Sequence, residues 1–170
     1  NKNTDKNFTL GCYFKKKRQA SNYKNFITAT NDGDETVLFI SLNIDHILIK
    51  YKNNTPTPLY IDTLNNLDNK DFSYIFITAD LNNAEFGPKF TIICNNKKYE
   101  INIEKTRVTE QLTEQLTINR FFFGNHNGDV NGFEGLIGGI VIEDEIKGNS
   151  FMCDHFNCSI NCFIPDGTKD

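Results

Sequence analysis

Tryptophan is absent from these 170 residues. No indole is therefore available to line a sugar cleft or fill a core. Phenylalanine, present 15 times, is the residue left to take the core role. An excess of one charge is also lacking. Eighteen Lys and Arg stand against 22 Asp and Glu, a net −4. That balance argues against nucleic acid, which calls for a basic face. Histidine occurs three times, in separate stretches, and forms no Cys-His or Ser-His-Asp pattern. No run approaches the roughly 18 apolar residues of a membrane span, so no direct membrane insertion is expected. No signal peptide is visible either. The chain opens mid-stream on NKNTDKN and reads as an excised domain, so this says nothing about secretion.

What is present is a chain of one-domain length, long enough to bury a sizeable core. Asn and Lys are very common. That excess reads as the base-composition bias of an AT-rich genome, such as a protist parasite's, rather than as chemistry. Cysteine is the informative residue. Cys153, Cys158 and Cys162 cluster near the C-terminus, while Cys12 and Cys94 sit in strand-like runs. Cys153-x4-Cys158-x3-Cys162 with His155 nearby allows a zinc reading, but CxxC pairs are missing. Disulfides in an oxidising compartment are the favoured reading, with all five as candidates. Five is odd, so one thiol is free, paired outside this fragment, or joined to another chain or domain. Sequons at Asn7, Asn53 and Asn157 are glycosylation candidates and permit an extracellular location.

Taken in order, 7–15 alternates, with Phe8, Leu10, Cys12 and Phe14 on one face and Thr9, Gly11, Tyr13 and Lys15 on the other. That predicts a half-buried strand. Lys15–Arg18 is a basic run, read first as a solvated loop and second as a contact for an anionic glycan. A short strand is expected over 25–30 and a turn at Asn31-Asp-Gly-Asp34. TVLFISL (36–42) and HILIKY (46–51) read as a hairpin about Asn43–Asp45. The segment 53–58 breaks the sheet through its prolines, and a short strand resumes over 59–62. FSYIFITAD (72–80) is the strongest central strand. KFTIICN (89–95) and KKYEINI (97–103) form a hairpin turning on Asn95-Asn96. In TRVTEQLTEQL (106–116), Val108, Leu112 and Leu116 fall four apart and predict a short helix. Beyond Ile146 periodicity is lost, and the cysteines are expected to staple the tail.

The segment 121–146, FFFGNHNGDVNGFEGLIGGIVIEDEI, organises the rest. A short aromatic strand ends at Gly124, and an Asn/Gly loop follows. Phe133-x-Gly135-x-Ile137-x-x-Ile140-x-Ile142 then closes on Glu143-Asp144-Glu145. Ile140–Ile142 reads as a buried strand, with glycines that allow close backbone approach. This pattern resembles the end of laminin-G-like and pentraxin-like domains, the concanavalin-type jelly rolls. The opening Phe8-Thr9-Leu10 strand and the 89–103 hairpin are similar to theirs as well. Phe72 and Tyr74 replace the family's Trp and His. Many laminin-G domains carry Cys where this chain has Gly135 or Leu136, so their usual disulfide is absent or moved. Cys12 would bond Cys94 if their strands meet across the sandwich, or one of them would reach the tail.

About ten strand-like runs and many turns make this an all-β chain. The expected fold is a two-sheet antiparallel β-sandwich, a concanavalin-like jelly roll with one short helix near 106–116. It spans 7–148 and is followed by a Cys-rich tail, 149–170.

The fold also houses glycoside hydrolases, so catalysis needs weighing. Two carboxyls must converge at about 5–5.5 Å for retention or about 6.5–9.5 Å for inversion. Of Glu143-Asp144-Glu145, only Glu143 and Glu145 can share a face, and no partner acid follows. The chain is therefore read as non-catalytic. The resemblance implies calcium at the sandwich rim, where Asn127, Asp129, Asn131 and Glu134 offer oxygen ligands. The turn Asn31–Glu35 is a weaker second candidate. The functional expectation is an extracellular interaction module of a larger secreted or surface protein. It would serve adhesion or receptor binding and take a protein or glycan ligand. The alternative is a structural domain packing within a multidomain surface complex.

Overall fold

The computed structural model describes residues 6–17, 22–52, 55–65, 72–82, 87–103, 118–124 and 132–156. Within them the chain forms β1 (Phe8–Lys16), β2 (Lys24–Thr30), β3 (Thr36–Leu42), β4 (His46–Tyr51) and β5 (Thr57–Tyr60). Then come β6 (Ser73–Asp80), β7 (Lys89–Cys94), β8 (Lys97–Asn102), β9 (Arg120–Phe123), β10 (Gly135–Glu143) and a helix, α1 (Asn149–Phe156). A front sheet orders β10-β1-β6-β7-β8, and a back sheet orders β5-β4-β3-β2-β9. All these pairings are antiparallel. The expected all-β, two-sheet sandwich is the fold observed. The helix expected near 106–116 lies outside the described residues.

Alternation builds the layers. On β1, Phe8, Leu10, Cys12 and Phe14 enter the core, as do Ile75, Ile77 and Ala79 of β6 and Phe90, Ile92 and Cys94 of β7. Leu38, Ile40, Leu42, Ile47 and Ile49 meet them from the back sheet. Phenylalanine does take a core role. Phe14 and Phe26 meet edge to face at 5.3 Å, Phe26 and Phe133 at 5.1 Å, and Phe8 and Phe121 at 5.2 Å. The hairpin turns form as the residues predict. Asn95 and Asn96 both take positive φ, 47° and 71°, the geometry of the tight hairpin turn that Asn tolerates. Asn43 Oδ1 accepts from the amides of Asp45 and His46 and fixes the β3–β4 turn.

Four expectations are corrected. First, Cys12 and Cys94 do not bond each other. Both are buried thiols. They lie in one sheet rather than across the sandwich, on strands that flank β6, and both register with Ile75. Two strand spacings separate their Cα atoms by about 9.5 Å, beyond the roughly 7 Å that a disulfide spans.

Second, Ile140–Ile142 is not buried. β10 is the edge of the front sheet, and Ile140 and Ile142 are 47% and 46% exposed. Apolar character alone does not tell an edge strand from a central one.

Third, β1 is buried on both faces over Thr9 and Gly11, because the chain after β10 folds back across it. That segment includes α1, where no regular structure was expected. Met152 and Phe156, four apart, seat α1 on Phe76 and Ile93.

Fourth, Thr57 and Pro58 belong to β5 rather than to a break before it. β5 is the outer strand of the back sheet, where a residue lacking an N–H is tolerated.

Candidate ligand-binding face

The outer face of the front sheet carries a groove of about 270 Å³. Its floor follows from strand register. Phe76, Ile93 and Lys98 form one row across β6, β7 and β8. Thr78, Thr91 and Glu100 form the next, and Asp80, Lys89 and Asn102 the third. Period-2 alternation sends these side chains out and their neighbours into the core. The chain from Ile146 to Asn149 makes one wall. Thr9 holds that wall, donating from Oγ1 to the Glu145 carbonyl at 2.8 Å and accepting from the Lys147 amide at 2.9 Å. Lys89 and Lys98 reach Glu100 at 3.3 and 3.5 Å. The lining thus combines the half-exposed Ile146 with hydroxyls, carboxylates and ammonium groups, over Phe76 and Ile93 that α1 largely covers, a mixed composition of the kind found in recognition sites.

The other end of this face is filled. Phe156 stacks on Tyr74 at 4.9 Å, and Tyr13 Oη donates to the Phe156 carbonyl at 2.6 Å. Gly11 makes the room, since a Cβ there would meet the Phe156 ring at 2.9 Å. His155 Nε2 donates to the Gly139 carbonyl at 2.6 Å and ties α1 to β10.

The Phe-x-Gly motif now has a physical reason. Phe133 packs against Phe14 and Phe26, and Gly135 takes φ +153° hard against β1. A Cβ on Gly135 would lie 2.0 Å from the Lys15 carbonyl oxygen.

Solved structures share this architecture. Domains LG4-5 of the mouse laminin alpha1 chain align at TM-score 0.55 with 10% identity, over 84% of this chain and 36% of that one. The CBM40 of the Ruminococcus gnavus IT-sialidase, bound to alpha2,3 sialyllactose, aligns at TM-score 0.56 with 8% identity, over 88% of this chain and 81% of that one. Its complex with alpha2,6 sialyllactose gives TM-score 0.55 at 8% identity, over 88% and 82%. The fold is a laminin-G-like jelly roll of the concanavalin type. No protein-family model matches the chain, and no curated protein does.

On this laminin-G-like sandwich the predicted site residues are placed as follows. Of the rim set, Glu134 is half-buried beside β10, and its backbone carbonyl accepts from the Lys17 amide. Asn127, Asp129 and Asn131 lie outside the described residues. Among those described, no group of three or more His, Cys, Asp or Glu is placed to hold a metal. The turn at Asn31 is built as a turn. Asn31 Oδ1 accepts from the Gly33 and Glu35 amides, and Asp34 pairs with Arg120 at 3.2 Å. Glu143 ends β10, and Glu145 pairs with Lys147 beyond it. Asn7 is half-buried, with Oδ1 accepting from the Leu81 amide, and its sequon's Thr9 is buried. Asn53, Asn157, Cys158 and Cys162 lie outside the described residues. Cys153 lies on α1.

The basic run divides. Lys15 and Lys16 belong to β1, Lys17 just beyond it is exposed, and Arg18 lies outside the described residues. Lys16 turns toward the back sheet, where Nζ donates to the carbonyls of Leu64, Ile44 and Asn43 at 2.8, 3.3 and 3.4 Å. Burial lowers its pKa, against the pull of Cys94 and Asp45. The groove itself was not singled out from the sequence. Its only sequence signal is the polar half of each alternating strand, which also describes any solvated sheet face.

Proposed function

We propose that this domain is a non-catalytic extracellular interaction module that takes a glycan or protein ligand in the groove on its front sheet. The observation that carries the reading is the ladder Thr78–Thr91–Glu100 beside Phe76–Ile93–Lys98. Hydroxyl, carboxylate and ammonium groups stand there beside the half-exposed Ile146 of the wall. Such a surface matches a sugar, which offers hydroxyls at its edge and C–H groups on its face. The likeness to laminin and carbohydrate-binding modules supports the same reading at the level of fold. The role is adhesion or receptor binding within a larger secreted or surface protein. The sequons at Asn7, Asn53 and Asn157 belong to this reading. So does a C-terminal disulfide at Cys153.

A glycan array run beside a pull-down from cell membranes tests it. Binding should fall at least tenfold in Thr91→Arg, which fills the groove from a half-exposed strand position without touching the core. Binding that Thr91→Arg leaves intact would remove the groove from the proposal. Glycan hydrolysis abolished by Glu143→Gln would overturn the non-catalytic reading. Calcium at Asn127, Asp129, Asn131 and Glu134 is a separate part of the proposal. It predicts that calcium raises the melting temperature, and that Asp129→Ala with Glu134→Ala cancels the rise.

A further inference from the structure

The front sheet ends on β10, and among the described residues only β1 pairs with it. Its outward edge therefore presents backbone N–H and C=O groups that another strand can bond, the Gly139 carbonyl excepted, which His155 takes from α1. Proteins commonly blunt such an edge with Lys, Pro or brevity. β10 runs for nine residues, GLIGGIVIE, without Lys or Pro. Its exposed side chains are apolar instead, with Leu136 at 59% and Ile140 and Ile142 near half. The feature that interrupts the edge is a bulge at mid-strand, where Gly139 takes φ +57°.

We propose that β10 pairs antiparallel with β10 of a second copy of this chain, about a two-fold axis at Gly139–Ile140. The two front sheets then join into one. Two observations select this occupant. The first is register. Ile137 and Ile142 are five apart, which in a regular strand puts them on opposite faces. The bulge returns them to one face, since Ile137 pairs with Phe14 and Ile142 with Leu10, both inward residues of β1. A two-fold at Gly139–Ile140 sets Ile137 of one copy opposite Ile142 of the other, so matching faces meet at both ends.

The second observation is charge. Glu143 ends β10 and Asp144 follows it. The other end registers with Lys15 and Lys16 of β1, and the Lys17 amide bonds Glu134 just before it. Antiparallel self-pairing brings the acids of each copy to the Lys15 and Lys17 end of the other, where these two bases outnumber the single acid Glu134 among the described residues. Parallel pairing would stack acid on acid. An isologous contact must be self-complementary, and an apolar centre between opposite charges is so.

Sedimentation equilibrium of the chain between about 1 and about 100 μM should show a monomer–dimer equilibrium. Ile140→Lys with Ile142→Lys should weaken it at least tenfold while circular dichroism stays native. Glu143→Lys with Asp144→Lys, and separately Lys15→Glu with Lys17→Glu, should each be monomeric. Mixing those two proteins should restore a one-to-one dimer. The mixing experiment decides the matter even if the isoleucine variant fails to fold. A monomer at the highest concentration would overturn the proposal. So would a dimer that survives every variant, or charge variants that do not recover each other.

Discussion

Cys12 and Cys94 stand at one level of the front sheet with Ile75 between them, two buried thiols on strands that never touch. Neither can reach the other without removing the central strand. The folded chain should therefore leave both unreacted by an aqueous thiol reagent. Both should become available only with global unfolding. Counting thiols with and without denaturant checks this, and fast native labelling of Cys12 would contradict the placement.

The same burial makes a pH prediction. Burial, with Cys94 second, pushes the Cys12 thiol up to about 12 from an ordinary 9.0. Between those values the unfolded chain has lost a proton that the folded one keeps. Stability from this group thus falls as pH rises through that window, by up to about 1.4 kcal/mol per pH unit. Lys16 works the other way. Its folded pKa is lowered, so the unfolded chain holds the extra proton below 10.5 and stability rises with pH there. Denaturant midpoints of wild type and Cys12→Ala from pH 8 upward separate the two effects. The variant should lose stability more shallowly on the alkaline side.

Lys16 joins the layers by three carbonyl bonds from one ammonium group. Lys16→Met keeps the stem and leaves those carbonyls without that donor. It should cost about 2 kcal/mol, read as a lower urea midpoint at unchanged slope. A neutral outcome would mean that the ammonium contributes nothing beyond its desolvation penalty.

Gly135→Ala is expected to be among the most damaging single substitutions. It places a Cβ against the Lys15 carbonyl at a φ that L residues rarely adopt. A loss of about 3 kcal/mol or more should follow, seen as a large fall in melting temperature. Gly138→Ala is the control, since nothing lies within 4 Å of its added Cβ.

Much of the fold was legible because its code is local. β3 is marked by its apolar run, β4 by alternation and both by Asn43 at their turn, and the β7–β8 hairpin by Asn95 and Asn96. The Phe133-x-Gly135 motif marked the join of β10 to β1, which the structure explains by one close backbone approach. The candidate groove was not legible. Thr78, Thr91 and Glu100 are far apart in sequence and become a row only through pairing. α1 was missed because its eight residues, with Phe151, Met152 and Phe156, are too few to show a helical period. Its site on Tyr74 and Phe76 exists only once the sheet is formed.

By itself, then, the sequence determined the strands, their turns and the two-layer class, since periodicity and turn chemistry act between near neighbours. Tertiary structure alone decided which strand lies at an edge, which cysteines share a sheet, and what covers the outer face. Those outcomes depend on which distant segments pair. Ile142 and Ile92 are alike in sequence, yet one sits half in solvent and the other in the core because only one has a strand on each side.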